Sequence, residues 1–167
     1  MFLEVDIRDV KKNMIKAISD EWMLICAGDE ARANMMTASW GMIGELWFRD
    51  VATCFVRPQR YTLEFLEEKD TFALCFFGTE QKQALSFCGS KSGRDYDKMK
   101  ETGLTPVYSE GTVYFEQAKL VLICRKIAVS EIDPQHICDA SILERCYPEK
   151  DYHKIFVGEI IKVLENK

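Results

Sequence analysis

From Asn34 to Thr62 the chain reads NMMTASWGMIGELWFRDVATCFVRPQRYT. Two clusters in it have side chains suited to chemistry. Asn34, Thr37 and Ser39 offer an amide and two hydroxyls. Arg57, Arg60, Tyr61 and Thr62 offer two guanidinium groups and two more hydroxyls. Between them runs an apolar segment, Val51 to Val56, that has the character of a strand. Such a strand would bring the clusters to neighbouring ends of one sheet. Guanidinium forks and free backbone amides make charge-assisted hydrogen bonds to phosphate. The pair of clusters therefore suits a phosphorylated planar cofactor, with Trp40 as a candidate ring contact.

Each cluster also has a plainer reading. Thr37 and Ser39 share a parity, so in a strand their hydroxyls point to one face. That face could equally meet water. Arg57 to Thr62 precedes an expected helix, TLEFLEEKD, with Thr62 as its N-cap. Its arginines could cradle an anion or pair with Glu64, Glu67 and Glu68. Ser90-Lys91-Ser92-Gly93-Arg94-Asp95 repeats the theme ahead of a helix expected from Gly93 to about Glu101. Lys98, one turn beyond Arg94, would share its face. The alternative there is an ordinary capped helix with exposed bases. His153, in DYHKIFVGEI, stands at the lip of the last expected strand, as a ring-side donor or as a surface histidine. His136 has no evident partner, and Cys88, just before Ser90, is read as an inert thiol.

The elements that would position these groups are mostly strands. They are expected at Phe2–Ile7, Trp22–Ala27, Asn34–Ile43, Val51–Val56, Thr71–Phe77, Thr112–Phe115, Lys119–Val129 and Ile155–Leu164. Glu45–Asp50 reads as a connector. Lys11–Ile18 is too short to read as a firm helix. Helices are expected over Glu80–Phe87 and from Asp133-Pro134 to Arg145. Strands of mixed length with long crossovers favour a barrel or sandwich. No G-x-G-x-x-G or P-loop pattern occurs, which argues against a Rossmann or Walker site.

The 167 residues and 47% hydrophobic content suit one domain, 1–167, with a full core. A net charge of −5 supplies no global field for nucleic acid. No apolar run approaches a membrane helix, and the first residues lack a secretory pattern. The seven cysteines are odd in number with no CxxC pair, so free thiols and a cytoplasmic location are expected. The two histidines lie far from any paired cysteines, so no metal site is expected.

Four motifs, N34-M-M-T-A-S-W-G41, R57-P-Q-R60-Y-T62-L-E-F, S92-G-R-D-Y-D-K98 and H153-K-I-F-V-G-E-I160, resemble in that order the flavin reductase-like family, most nearly its flavoredoxin-type branch. The resemblance runs from about Trp22 to Val163. It implies a mainly β fold: a six-stranded Greek-key split β-barrel that binds FMN, with peripheral α-helices, acting as a homodimer. Met35, Thr37, Ala38, Ser39 and Trp40 would line the flavin. Arg57, Arg60, Tyr61 and Thr62 would help hold the phosphate and ribityl chain. Ser90, Ser92, Gly93, Arg94 and Lys98 fall on the family's other binding segment, and which segment takes the phosphate stays open. His153 matches a histidine near the ring or nicotinamide side. The implied activity is that of an FMN-binding oxidoreductase, an NAD(P)H-dependent flavin reductase passing electrons to flavin, metal or protein. The alternatives are an electron carrier reduced by a partner protein, and a barrel that holds no flavin.

Overall fold

The computed structural model describes residues 1–166. Ten strands occur among them: β1 (Phe2–Glu4), β2 (Met23–Gly28), β3 (Ala33–Ala38), β4 (Gly41–Leu46), β5 (Arg49–Val56), β6 (Thr71–Phe76), β7 (Pro106–Ser109), β8 (Thr112–Phe115), β9 (Leu120–Glu131) and β10 (Lys154–Asn166). The helices are α1 (Met14–Lys16, widening into a looser turn over Ala17–Glu21), α2 (Thr62–Glu68), α3 (Lys82–Ser90), α4 (Lys98–Thr102) and α5 (Ala140–Cys146). None of them is long and apolar enough to cross a membrane.

The main sheet runs β3-β2-β6-β9-β10-β5-β4, antiparallel throughout, with β1 added along β10. Its two end strands, β3 and β4, are consecutive in the chain and joined only by Ser39-Trp40. Counted as one bent strand, they make six and bring the sheet round on itself as a split barrel. The single strand expected over Asn34–Ile43 is thus corrected to two. One half pairs with β2 and the other with β5, so the chain must change direction between them. Gly41 permits the corner: a Cβ there would lie 2.8 Å from Met23 Cε and 3.2 Å from the Thr53 carbonyl.

Alternation explains the apolar runs. In β2, Met23, Ile25 and Ala27 face the barrel interior with Phe72, Leu74, Phe76, Leu122 and Phe156. Leu24 and Cys26 face the opposite side, under Leu85, Val113, Phe115 and Val121. Both faces are covered, so the strand reads as a continuous buried run. Each fully buried Leu or Phe of this kind contributes about 2 kcal/mol of transfer free energy.

Five further local expectations are corrected. Glu45–Asp50 is no open connector but the tip of a tight β4–β5 hairpin in which Leu46 pairs with Arg49. Trp47 and Phe48 take φ of 56° and 59° there, the left-handed region usually left to Asn-Gly. Thr62 does not cap α2. It is the first helical residue, and its hydroxyl accepts from Asn34 Nδ2 at 3.0 Å. The helix expected from Gly93 begins only at Lys98, capped by Asp97, because Ser92 to Asp97 forms a turn. Asp133 to Arg145 divides into a short 3-10 turn, Pro134–His136, and α5. The long hydrogen-bonded pairing with β10 carries β9 two residues past the expected Val129.

Candidate functional site

Two small cavities meet at Arg60. The first, about 240 Å³, is lined by Met36, Thr37, Ala38, Ser39, Trp40, Phe55, Arg57, Arg60 and His153. The second, about 150 Å³, is lined by Gln59, Arg60, Tyr61, Thr62, Gly89, Ser90, Lys91, Ser92, Gly93 and Lys98. The end of β3, the Arg57–Thr62 turn, the end of α3 and the lip of β10 therefore converge. Of the residues to which the family resemblance gives a binding role, all but Met35 and Arg94 stand in these linings, while Asn34 of the first cluster lies outside both.

The cation-rich corner has a physical origin in α3. The last carbonyls of a helix carry partial negative charge and lack helical partners. Arg60 donates from Nη1 to the Gly89 carbonyl at 2.9 Å and from Nη2 to that of Cys88 at 3.2 Å. Lys98 donates from Nζ to the carbonyls of Cys88 and Met35, each at 2.9 Å. Two cations are thereby drawn to one helix end. Burial pushes the Lys98 ammonium down to about 8, with the neighbouring Arg60 charge adding to the fall and Cys88 opposing it. Burial likewise lowers Arg60 and pushes the Cys88 thiol up to about 11, which leaves that thiol protonated. Close packing completes the corner. A Cβ on Gly93 would lie 2.2 Å from Asn34 Oδ1, and one on Gly89 would lie 3.3 Å from Thr37 Cβ.

Arg94 departs from the expected face. Its Nη2 pairs with Glu64 Oε1 at 2.5 Å, and its guanidinium lies 4.6 Å from the Tyr61 ring centroid. It does not share a face with Lys98, because the helix that would have aligned them starts too late. Met35 is buried, and its backbone carbonyl rather than its side chain reaches Lys98. Arg57 is held by Asp151 Oδ1 at 2.5 Å and by the Cys146 carbonyl at 2.8 Å. Glu64, Glu67 and Glu68, the alternative partners weighed for the arginines of this turn, are not the ones Arg57 takes.

At the other end, aromatic rings enclose His153. Its ring centroid is 5.1 Å from that of Trp40 and 6.5 Å from that of Phe55. Tyr147 Oη lies 2.8 Å from its Nδ1. Thr37 lines the cavity, and its Oγ1 donates to the Leu85 carbonyl. The site thus has an aromatic, weakly polar end and a cationic end, joined by Arg60.

The flavin reductase-like domain family matches residues 15–167. The chain belongs to the flavin reductase-like family. Flavoredoxin from Methanosarcina acetivorans shares the fold with a TM-score of 0.70 at 23% identity, over 88% of this chain and 69% of that one. An FMN-binding protein from Thermus thermophilus matches with a TM-score of 0.68 at 22% identity, over 86% and 69%. A split barrel domain protein from Shewanella frigidimarina gives 0.70 at 15%, over 98% and 76%. No curated protein matches the chain.

Several residues of this flavin reductase-like site had no sequence signal. Phe55 belongs to a strand already suspected, and strand geometry alone does not say that it reaches the cavity, whereas Met36 was legible within the Asn34–Gly41 motif as adjoining the site. Tyr147 is six residues from His153 with Pro148 between, a spacing that fits no motif. Lys91 was legible as part of the Ser90–Asp95 turn.

Burial lowers His153 to about 4, Arg57 adding to the fall and Asp151 opposing it. The unfolded chain takes up this proton near 6.5, while the folded chain refuses it until about 4. Over that window the unfolded state binds more protons, so stability falls as pH falls. The expected loss assignable to His153 is about 2 kcal/mol between pH 7 and pH 4, reduced from the full gap because the ring borders a cavity open to water. Urea midpoints of the wild type and His153→Gln across this range measure it. Parallel pH profiles for the two proteins would refute the assignment.

Proposed function

We propose that this protein binds FMN at the two joined cavities and acts as an oxidoreductase, taking electrons from NADH or NADPH and passing them to a flavin, metal or protein acceptor. Family membership makes it flavin-related. The observation that carries the finer reading is Arg60, which stands in both linings and joins an aromatic end to a cationic end. The donor set fits the cofactor. Thr37, Ser39, Trp40 and Phe55 border the space suited to a planar ring. Arg60, Ser90, Lys91, Ser92 and Lys98 border the space suited to a phosphorylated tail. When bound, FMN supplies the redox chemistry, accepting hydride from a nicotinamide and releasing electrons to an acceptor.

The chain's own residues bind, orient and exclude water. Arg60 and Lys98 neutralise phosphate charge, and a bound dianion would raise the Lys98 ammonium back from about 8 by Coulomb attraction. Gly93 and Gly89 let Asn34 and Thr37 sit against the turn without a gap. His153 stays uncharged at neutral pH and offers a hydrogen bond without adding a charge.

The same reading includes a homodimer. Trp40, Met42, Leu46, Trp47 and Phe48 are exposed along β4 and its hairpin, Phe48 at 99%. Trp40 and Met42 line an apolar cleft of about 940 Å³ together with Ile15, Ile18, Ile132 and Ile142. An apolar face of this extent beside the ring end suits a second copy, which would cover the cofactor. Light scattering should give about twice the 19.3 kDa chain mass, falling to one chain mass in Met42→Asp. A wild type that runs as one chain would reject the shared site.

The purified protein should be yellow and should release FMN on denaturation. Colourless protein that FMN cannot reconstitute would reject the flavin reading. Anaerobic NADH or NADPH should bleach the flavin band. Absence of bleaching with either donor would leave an electron carrier served by a partner protein.

A further inference from the structure

We propose that Tyr147 is a positioning residue for His153. Its hydroxyl donates to Nδ1 and holds the neutral ring in the form that carries its proton on Nε2, the donor left for a ligand. This deepens the reading above, since it names the group that would offer a hydrogen bond to an acceptor edge of a planar heterocycle in the smaller aromatic cavity.

The geometry carries the assignment. Tyr147 Oη and His153 Nδ1 are 2.8 Å apart, and the two rings meet edge to face at 78°. Both residues are buried, 4% and 7% exposed. Tyr147 borders the large apolar cleft, while His153 borders the smaller cavity with Thr37, Ser39 and Trp40. The pair therefore forms part of the wall between the two. Among the described residues the Tyr147 hydroxyl has no other hydrogen-bond acceptor. A proton on Nδ1 would donate to the phenol oxygen and leave the phenolic O–H without a protein acceptor among the described residues. The reverse arrangement satisfies both groups. Nε2 makes no hydrogen bond among the described residues, so its N–H is available.

The surroundings hold this pair still. Arg57 lies 5.3 Å from the Tyr147 ring centroid and ties the end of α5 to β5 through the Cys146 carbonyl. Asp151 compensates the Arg57 charge at 2.5 Å. Arg57 and Asp151 act on the imidazole, the Cys146 thiol lies on the Tyr147 side, and Arg60 shares the cavity wall with His153. Burial disfavours the imidazolium, and a donor on Nδ1 disfavours it further, because a protonated Nδ1 could no longer accept.

Nitrogen-15 NMR of the full chain, prepared without added flavin, tests this directly. There are only two histidines, and His136→Asn assigns them. The expected spectrum has His153 Nδ1 in the unprotonated position and Nε2 in the protonated one. In Tyr147→Phe, which keeps the apolar ring, the proton should spread over both nitrogens. The protonation midpoint should then rise by about one pH unit, the worth of one neutral hydrogen bond. A wild-type spectrum with the proton on Nδ1 would overturn the proposal, and so would an unchanged spectrum in the variant. The wild-type measurement decides even if Tyr147→Phe folds poorly. FMN titration of the same sample separates the two readings. Correct protonation without FMN binding would reject the flavin site and leave the Tyr147–His153 arrangement standing.

Discussion

Replacing Arg60 with alanine is expected to weaken FMN about a hundredfold and riboflavin by about threefold. The difference arises from position. Arg60 stands where the two cavities meet, beside the buried Lys98, and its guanidinium is already oriented by the carbonyls of Cys88 and Gly89. A preoriented fork pays little entropy on meeting phosphate, and charge-assisted bonds are the strong ones. Riboflavin has the ring and ribityl chain without the phosphate, so it should feel only the loss of shape. Arg60→Lys keeps a point charge and loses the fork, and it should fall between. Arg94→Ala is the contrast. Its side chain is spent on Glu64 over the Tyr61 face, so FMN affinity should change by about twofold or less. Fluorescence titration with both ligands measures all three. Equal losses for FMN and riboflavin in Arg60→Ala would remove Arg60 from the phosphate.

Gly158→Ala should cost about 3 kcal/mol of stability, or about 10 °C in Tm for a chain of this length. Gly158 lies in β10 at a register shift against β9 and opposite Ala52 of β5. A Cβ there would sit 2.6 Å from Cys124 Cβ and 2.6 Å from Phe72 Cζ. Neither can yield cheaply. Cys124 is fixed at its stem, and the Phe72 ring is enclosed in the barrel interior. Real Cβ atoms essentially never approach so closely, so β10 must shift and its ladders to β5 and β9 must loosen. His153 precedes this strand and Arg57 follows β5, so the damage should spread to the site. Calorimetry of the variant is the test, and a Tm within about 2 °C of wild type would show that the interior has room not visible here.

Much of the barrel could be read along the chain because two-faced burial leaves a local mark. MLICA, FALCF and LVLIC are apolar without interruption, and each proved to lie in a strand covered on both faces. The motif turns were also legible, since Arg-Pro and Ser-Gly punctuate a sequence plainly. What failed were boundaries that depend on distant partners. Nothing between Asn34 and Ile43 announces that one half will pair with β2 and the other with β5. Thr62 looked like a cap because Ser or Thr before a helix usually is one, yet Asn34 claims its hydroxyl from another strand. Arg94 and Lys98 looked coaxial because the helix was begun five residues too early.

The sequence alone determined which residue types were available: hydroxyls, arginines and two turns ahead of helices in an acidic chain, at spacings set by short-range backbone rules. Only the tertiary structure decided which of them share a space. The negative end of α3 gathered Arg60 and Lys98 from segments 38 positions apart. The same folding turned Arg94 outward to Glu64 and set Tyr147 against His153. Local pattern reports a residue's own face, while electrostatic and packing partners are chosen by whatever the barrel brings within a few ångströms.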